Sequence, residues 1–218
     1  VIDPPRTDAS EPTRPDRPRG RAIAVVLAGA SSTRSMRFSV RVGLLVAGSF
    51  MIAVAVAVTL WNGLGPGPLD VFIGAVRERC GLPLGPTVWL VVGSMSVLSW
   101  LLGRRPGPGT LISPVIVGSA MQATATMLEP VGVPDALAVR IGVHLLAVTA
   151  IGLGAGALIV SRLGAGSGEL LAAAASERSG RREPRVRMAI ELSWLAVGVA
   201  LGGPVGLGTI LLALTIGP

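Results

Sequence analysis

The sequence has no lysine, and its 218 residues include only one cysteine and one histidine. The single cysteine, Cys80, excludes a disulfide within the chain and a zinc site built from several cysteines. The single histidine, His144, leaves no histidine cluster for a metal, and a Walker phosphate loop needs the lysine that is absent. Because no catalytic set is visible, we predict that the protein is not an enzyme and carries no cofactor or metal.

Charged and aromatic residues are also scarce, at 14% and 3% of the chain. A soluble domain of this size carries about 25% charged residues, which argues against an ordinary soluble enzyme. Half of the residues are hydrophobic, and the mean hydropathy is +0.68. The 30 glycines and 17 prolines lie among them, and membrane helices tolerate both better than soluble helices do. The composition therefore predicts a polytopic membrane protein.

All 19 basic residues are arginines, and against 12 acidic residues they give a net charge of +7. Nucleic-acid-binding proteins cluster such residues on a soluble face and interleave aromatic side chains for stacking. Here the arginines flank long apolar runs, which suits contact with anionic lipid headgroups. We therefore expect the lipid bilayer as a partner and no binding to nucleic acid.

Residues 1–37 differ from the rest of the chain, because prolines, arginines and aspartates are mixed there without apolar periodicity. This composition predicts a disordered N-terminal tail, followed by a membrane domain over residues 38–218. A second interpretation concerns the apolar run Ala22–Ala30, which follows Arg21 and ends in Ala-Gly-Ala. That pattern is also typical of the cleavage site of a signal peptide.

Six apolar segments follow in the membrane domain: Val42–Trp61, Thr87–Leu102, Thr110–Leu128, Ile141–Val160, Met188–Leu201 and Gly206–Pro218. About 20 residues are needed to cross a hydrocarbon core ~30 Å thick, and the first, third and fourth segments approach that length. The last segment is too short as it stands, so we expect the given sequence to stop before that helix does. The pattern predicts about six transmembrane helices.

A shift of 99 residues brings the second half of the membrane domain into register with the first half without a gap. The motifs that coincide are LGPG (64–67) with LGAG (163–166), ERCG (78–81) with ERSG (177–180), and GPGT (107–110) with GLGT (206–209). One register kept through several motifs indicates an internal duplication. We place repeat 1 at about residues 41–128 and repeat 2 at about 140–218.

Three crossings in one repeat is an odd number, so the second repeat is predicted to insert upside down, as in many secondary transporters. The expected fold is an all-α polytopic membrane protein. It has two inverted three-helix repeats, each with a short extra helix after a glycine/proline break. Most arginines between the segments fall on the side of the tail, so the positive-inside rule predicts a cytoplasmic N-terminus.

A glycine-rich break follows the first span of each repeat, at Gly63–Pro68 and at Leu163–Gly168. Candidate binding residues lie in both breaks and just after them. The short helix after each break has a carboxylate in its first turn, Asp70 or Glu169, which complements the helix dipole. Ser167 is the expected N-cap, and Gly81 and Gly180 are the expected left-handed residues past the helix ends. The candidates for substrate or ion binding are Gly65, Pro66, Gly67, Asp70, Gly164, Gly166 and Glu169.

Two interpretations of these short helices stay open. In the first, they lie at the membrane interface, and the acids only complement the dipole. In the second, they are half-helices that dip into the membrane around a cavity lined by the carboxylates. Irregular backbone at membrane depth needs a cover of protein or water, and matching glycine/proline interruptions in two halves point to a transport site.

Two further candidates lie inside spans. Glu191 is an acid within the fifth span and so a functional candidate by default, although Arg187, four residues earlier, could form a structural ion pair with it. His144 could titrate near neutral pH, or pack as a neutral ring hydrogen-bonded to a neighbouring helix. Four residues of the Gly-x-Gly-Thr motifs are predicted to pack the repeat interface: Gly109, Thr110, Gly208 and Thr209.

Five stretches of the sequence resemble one known family. They are Gly65–Asp70, Gly109–Thr110, Arg187–Leu192, Ile216–Pro218 and, most specifically, Leu201–Thr209, which reads LGGPVGLGT. Over about residues 37–218 the chain resembles the YczE/YyaS/YitT group of bacterial integral membrane proteins. Ser167–Glu169 departs from the group, which reads more like Pro-x-Asp there, so the two acids need not do the same job. The resemblance implies a multi-span inner-membrane protein and no particular activity.

Two functions fit these observations. The first is a small secondary transporter or permease-like protein for an unknown small solute or ion, with its site where the two repeats meet. The alternative is a non-transporting accessory or regulatory membrane protein that supports a biosynthetic or export partner. In that case the arginine-rich segment 178–187 would matter more than a central cavity.

Overall fold

Helices connected by short loops make up the structure. A computed structural model of the protein describes residues 36–164, 166–206 and 208–209, and these ranges contain no strand. The helices are α1 (Phe38–Asn62), α2 (Pro68–Cys80), α3 (Leu84–Leu101), α4 (Pro108–Leu128), α5 (Leu137–Ser161), α6 (Ser167–Ser179) and α7 (Glu183–Ala200). The predicted all-α class is confirmed. The predicted tail up to residue 35 and the last apolar segment from residue 210 lie outside the described residues.

Four of these helices are long and apolar enough to cross a membrane. They are α1, α3, α4 and α5, with 25, 18, 21 and 25 residues and mean hydropathies of 2.4, 1.5, 1.4 and 2.2. At 1.5 Å per residue, 18 residues extend about 27 Å, close to the ~30 Å hydrocarbon core. Together with the composition, these helices are consistent with a polytopic membrane protein. Helix α7 is as long as α3, but it carries Glu183, Arg185, Arg187 and Glu191.

Four helices begin three to five residues ahead of the predicted apolar segments, with α1 at Phe38 rather than Val42 and α5 at Leu137 rather than Ile141. Helix α3 begins at Leu84 rather than at Thr87, and α7 begins at Glu183 rather than at Met188. Both helices have a proline in the first turn, Pro86 and Pro184. Proline is tolerated there because the first-turn amides have no intrahelical acceptor, so these helices start in polar sequence ahead of their apolar runs.

The helices of the two halves have the same lengths in the same order. Helices α1 and α5 have 25 residues each, α2 and α6 have 13 each, and α3 and α7 have 18 each. Helix α1 begins at Phe38 and α5 at Leu137, which is 99 residues later, and the same spacing separates the starts of the other two pairs. The local signals that begin and end a helix therefore recur along the chain at one interval.

Both short helices end as predicted, on a glycine in the left-handed region. The φ angles of Gly81 and Gly180 are 63° and 66°, a conformation that costs a residue without Cβ little. The prediction that Ser167 caps α6 was wrong. Gly166 is the N-cap, Ser167 is the first helical residue, and its hydroxyl lies 2.9 Å from the hydroxyl of Ser96 in α3.

Small residues bring the two longest helices into close contact. A Cβ atom on Gly48 of α1 would lie 2.8 Å from the carbonyl oxygen of Gly154 in α5, and the reverse distance is the same. Such contacts are how membrane helices gain packing energy in lipid. The largest buried apolar cluster lies beside this pair and joins α1, α2, α3 and α4: Ala53, Val56, Ala57, Ile73, Leu84, Val88, Val91 and Met121.

Each short helix packs on the third helix of the opposite half. Helix α2 lies along α7, where the rings of Phe72 and Trp194 are 4.9 Å apart. Helix α6 lies along α3, and at its end Glu177 pairs with Arg104, just past α3, at 2.6 Å. At about 20 Å, a 13-residue helix is too short to cross the hydrocarbon core. The packing of α2 on α7 and of α6 on α3 places the start of each short helix against the opposite half of the chain.

Candidate functional site

Each glycine break is hydrogen-bonded to the Gly-x-Gly-Thr motif of the opposite half. The amide of Gly109 donates to the carbonyl of Leu163 at 2.9 Å, and the amide of Gly208 donates to the carbonyl of Leu64 at 2.6 Å. These amides lie in the first turn of a helix, where an N–H group has no intrahelical acceptor. The two breaks therefore supply acceptors that the two motifs need.

The glycine that follows the leucine of each break, Gly65 or Gly164, is required by the space around it. Gly65 and Gly164 have φ angles of 119° and 148°, which side chains rarely adopt. A Cβ atom on Gly65 would lie 2.6 Å from Oγ1 of Thr209, and one on Gly164 would lie 2.5 Å from Oγ1 of Thr110. Both threonines are 1% exposed. The structure thus brings the four residues predicted to pack the repeat interface against the breaks of the other half.

The two acids after the breaks turn back over the start of their own helices. Gly67 follows the buried Pro66 and is the N-cap of α2, and the carboxylate of Asp70 accepts a hydrogen bond from the Gly67 backbone. The carboxylate of Glu169 lies in the same way against Gly166, the N-cap of α6. Both acids therefore complement the positive end of a helix dipole, as the first interpretation expects.

Beyond their own helices, the surroundings of the two acids differ. Oε1 of Glu169 lies 3.5 Å from Nη2 of Arg187 in α7. Arg187 also interacts electrostatically with Glu191, one turn further along α7, which is the pairing that the i,i+4 spacing suggested. Glu191 lies between the two halves, since its carboxylate interacts electrostatically with those of both Asp70 and Glu169 as well. Three acids singled out in separate parts of the sequence meet beside one helix.

Asp70 also lines a cavity of about 400 Å³ between α1, α2 and α4. The cavity is lined by Ala57, Leu60, Trp61, Asp70, Gly74, Arg77, Glu78, Leu84, Gln122, Ala125, Thr126, Glu129 and Pro204. Three of these residues are acidic and one is basic. The lining therefore suits a cation better than an anion, and it includes one aromatic side chain, that of Trp61.

Hydrogen bonds hold the polar wall of this cavity in place. The indole N–H of Trp61 donates to the carbonyl of Val131 at 2.8 Å, and Oε1 of Gln122 accepts from the amide of Gly85 at 3.0 Å. Nε2 of Gln122 lies 3.4 Å from the hydroxyl of Thr126. The wall is thus preorganised rather than formed around a ligand.

Most of this wall was not predicted from the sequence, since Trp61, Gln122, Thr126 and Glu129 were not among the candidate residues. A signal for Gln122 was present, because an amide in the middle of an apolar span needs a polar partner or a cavity. No comparable signal marked the others, since they lie near helix ends, where polar residues are ordinary.

The cavity and the neighbouring charge alter the acidity of Asp70. Burial and, as a smaller effect, the nearby carboxylate of Glu191 together raise the pKa of Asp70 from 3.8 to about 7, while the hydrogen bond from Gly67 opposes both effects. Removal from water disfavours the charged form of a carboxyl group. Asp70 can therefore exchange a proton near neutral pH in the lining of a cavity that favours cations.

The remaining candidates do not line this cavity. Gly164, Gly166 and Glu169 belong to the other break, and His144 lies in α5 with 6% exposure. Cε1 and Nε2 of His144 lie 2.9 Å from where a Cβ on Gly208 would be. Neither ring nitrogen has a hydrogen-bond partner in the part of the chain that the structure describes. The suggested hydrogen bond from His144 to a neighbouring helix is therefore not found there.

Metal ligands are not gathered anywhere in the described ranges. No group of three or more histidine, cysteine, aspartate or glutamate residues is placed there to hold a metal ion. What the cavity offers instead is a protonatable carboxyl, further carboxylates, an amide and an indole face. Carboxylates and aromatic rings are groups that attract cations.

Comparison with known proteins places the chain in a family. The model of a family of unknown function, DUF6198, matches residues 25–218. The chain belongs to this family. The match covers both glycine breaks, both Gly-x-Gly-Thr motifs and every residue that lines the cavity. The site described above is therefore part of the region that the family model spans.

The chain also matches two relatives over most of its own length and of theirs. It is 30% identical over 175 residues to the uncharacterized membrane protein YczE of Bacillus subtilis, covering 78% of this chain and 79% of YczE. It is 27% identical over 156 residues to an uncharacterized protein of Haemophilus influenzae, covering 72% of this chain and 70% of that protein. The suspected resemblance to a YczE-like family is confirmed. No solved structure matches the chain significantly.

Proposed function

We propose that this membrane protein is a small secondary transporter that exchanges protons for a cationic solute through the cavity that Asp70 lines. The observation that carries the proposal is a carboxyl with a pKa of about 7 that lines a 400 Å³ cavity with three acidic and one basic lining residues. A carboxyl of this kind binds either a proton or a cation at neutral pH, because the two compete for one negative charge.

The architecture that we propose is a pair of inverted three-helix repeats with six crossings in the bacterial inner membrane and a cytoplasmic N-terminus. It is supported by the 99-residue spacing of three helix pairs and by the reciprocal hydrogen bonds between breaks and motifs. Secondary transporters built this way place their sites at helix breaks where the repeats meet. The arginine distribution supports the proposed orientation through the positive-inside rule.

The proposed cycle uses the two states of Asp70. When Asp70 is deprotonated, the carboxylate attracts a cation into the cavity, with Trp61 and Gln122 as further contacts. When Asp70 takes up a proton, that charge disappears and the cation leaves. Rocking of one half against the other around the reciprocal Gly-x-Gly-Thr contacts would open the site to the opposite side. Every step is binding or proton transfer, so no enzymatic activity is proposed.

The test is flux through the full-length protein reconstituted in liposomes that contain a pH-sensitive dye. Gradients of sodium, potassium, guanidinium and tetramethylammonium are imposed in turn. We expect one of these cations to drive proton movement with the wild-type protein, and Asp70→Asn to abolish it. Glu169→Gln is the matched control, because that acid caps the equivalent helix but lies outside the cavity, and it should keep most of the flux.

Two outcomes would count against the proposal. Full flux with Asp70→Asn would show that this carboxyl is not the exchange site. An absence of flux for every cation in the panel would favour a second function, in which the protein supports a membrane partner without transport. That second function is favoured by one observation, the exposed arginines of the connection between α6 and α7 at Arg181 and Arg182.

A further inference from the structure

A second cavity lies between α6, the α6–α7 connection and α7, away from the residues that line the first one. Its volume is about 620 Å³. It is lined by Ala175, Ser179, Gly180, Arg181, Arg182, Arg185, Val186, Ala189, Ile190 and Ser193. Three arginines and no acid contribute to this lining, so the cavity is basic.

These arginines have no acidic partner in the described ranges. The ion pairs found there join Arg104 to Glu177 and Arg187 to Glu169. The acid at the end of α6, Glu177, is thus already occupied by a cation from the α3–α4 connection. Three positive charges around one concave surface repel each other and attract an anion, which a phosphate group satisfies with several charge-assisted hydrogen bonds.

The backbone that carries the arginines is held by the fold. The hydroxyl of Ser176 donates to the carbonyl of Arg181 at 2.6 Å, which ties the connection to the last turn of α6. Gly180 is left-handed with φ of 66°, and Arg182 is the N-cap of α7. The arginine-bearing turn therefore has a defined shape before any ligand binds.

The floor of the cavity is apolar and continues onto a surface suited to lipid. Val186, Ala189 and Ile190 of α7 line it. On the adjoining face of the same helix, Met188 and Leu192 are 42% and 52% exposed. A ligand with an anionic head and a hydrocarbon chain matches this pairing of charge and apolar wall, because the chain can follow α7 into the bilayer.

The corresponding turn of the first half lacks this chemistry. The residues 99 positions before Arg181, Arg182 and Arg185 are Leu82, Pro83 and Pro86. Helix α3 begins there with the same length as α7, so a helix of this kind forms without arginines at those positions. The basic cavity is an addition of the second half rather than a requirement of the fold.

We propose that the cavity between α6 and α7 is a binding site for an anionic phospholipid, held at its phosphate by Arg181, Arg182 and Arg185. One acyl chain lies along Val186, Ala189 and Ile190. Basic pockets between membrane helices bind headgroups of this class on the cytoplasmic side. The site is independent of the cation cavity, since the two share no lining residue.

The test measures lipid binding to the purified full-length protein in detergent. Phosphatidylglycerol, cardiolipin, phosphatidylcholine and inorganic phosphate are added separately, and bound lipid is counted by native mass spectrometry while thermal unfolding is followed by tryptophan fluorescence. We expect phosphatidylglycerol or cardiolipin to bind and to raise the unfolding temperature, and phosphatidylcholine to do neither. Removing the three arginines together, as R181Q/R182Q/R185Q, should weaken binding at least tenfold.

A matched control removes three arginines that do not line the cavity, as R37Q/R105Q/R178Q, and should bind the lipid as the wild type does. The single variants R181Q and R185Q give intermediate affinities and replace the triple variant if it fails to fold. Equal binding of phosphatidylcholine would overturn the proposal. Stabilisation by inorganic phosphate alone would overturn it in favour of a soluble anion, and equal weakening in the control would reduce it to general surface charge.

Discussion

The two glycine breaks place an acid at the same position of a short helix, yet the two acids meet different surroundings. Asp70 lines a cavity near Glu191, and its pKa rises to about 7. Glu169 instead pairs with Arg187 at 3.5 Å. The backbone is alike in the two places, because each acid turns back over the glycine that caps its helix. A helix start therefore fixes the position of a carboxylate, whereas the residues around it determine whether its pKa rises or an ion pair forms.

The ends of α1 and α5 show the opposite case, in which both halves keep the same contact. Nη2 of Arg140 donates to the carbonyl of Asn62 at 2.8 Å, and Nε of Arg41 donates to the carbonyl of Ser161 at 2.8 Å. An arginine one turn inside each long helix thus satisfies a C-terminal carbonyl of the other, where cations are favoured by the helix dipole. The halves agree in how helices end and differ in what lines the space between them.

The largest expected effect is the same in both halves. Replacing Gly65 or Gly164 with alanine forces a side chain into the left-handed region, at a cost of about 1–3 kcal/mol, and also overlaps the threonine of the opposite motif. We expect both variants to lose several degrees of thermal stability in detergent, with loss of folded yield. Gly43→Ala, where nothing lies within 4 Å, is the control and should unfold near the wild-type temperature.

Equal losses at Gly65 and Gly164 would support equivalent roles for the two breaks. If either alanine variant unfolded at the temperature of the Gly43 control, the close contact with the opposite motif would not be a feature of the folded protein.

The second-largest expected effect is on the pH dependence of stability, in which Asp70 and Glu169 should differ. The folded protein holds a proton on Asp70 up to about pH 7, whereas the unfolded chain releases it near pH 3.8. The folded state therefore binds more protons between these values, and the free energy of unfolding falls as pH rises from about 4 to 7. Each pH unit between the two pKa values lowers the free energy of unfolding by at most about 1.4 kcal/mol.

Thermal unfolding of wild type, Asp70→Asn and Glu169→Gln at pH 5 and pH 8 measures this difference. We expect Asp70→Asn to flatten the decline in stability between the two pH values and Glu169→Gln to retain it. A decline that is unchanged in Asp70→Asn would show that another group is responsible.

The smallest expected effect is the stability contributed by the Glu169–Arg187 ion pair of the second half. Both side chains of the Glu169–Arg187 pair are more than 40% exposed, and such pairs contribute about 0.2–1 kcal/mol. A double-mutant cycle of Glu169→Gln and Arg187→Gln, measured by denaturation in detergent, should give a coupling energy in that range. The parallel cycle of Asp70→Asn with Arg187→Gln should give a smaller one, and the reverse order would contradict the pairing that the structure shows.

Much of the fold was predictable from local signals in the sequence. Gly81 and Gly180 marked the ends of the short helices, and the apolar runs marked the long ones. Pro184 moved the start of α7 ahead of its apolar run, because a first-turn proline begins a helix whatever the polarity around it. The prediction that Ser167 caps α6 failed for a tertiary reason, since the hydroxyl of Ser96 offers a buried partner to the side chain.

The candidate site was only partly predictable. Asp70 and Gly65 stood out because helix dipoles and glycine breaks leave patterns within a few residues of sequence. Trp61, Thr126 and Glu129 did not, since nothing local shows that the ends of α1 and α4 face the same space as α2. The contact of Arg187 with Glu169 was also not predicted, because i,i+4 spacing is visible in sequence and a contact across helices is not.

The sequence by itself determined the membrane class, the all-helical structure and the positions of the two breaks, because hydrophobicity, helix caps and glycine conformations act over a few neighbouring residues. Only the tertiary structure decided which helix lies beside each break. Each short helix packs on the opposite half, so Asp70 comes to face a cavity and Glu169 to face Arg187. The energy of a carboxylate depends on charges and water within a few ångströms, and packing between distant segments alone sets those distances.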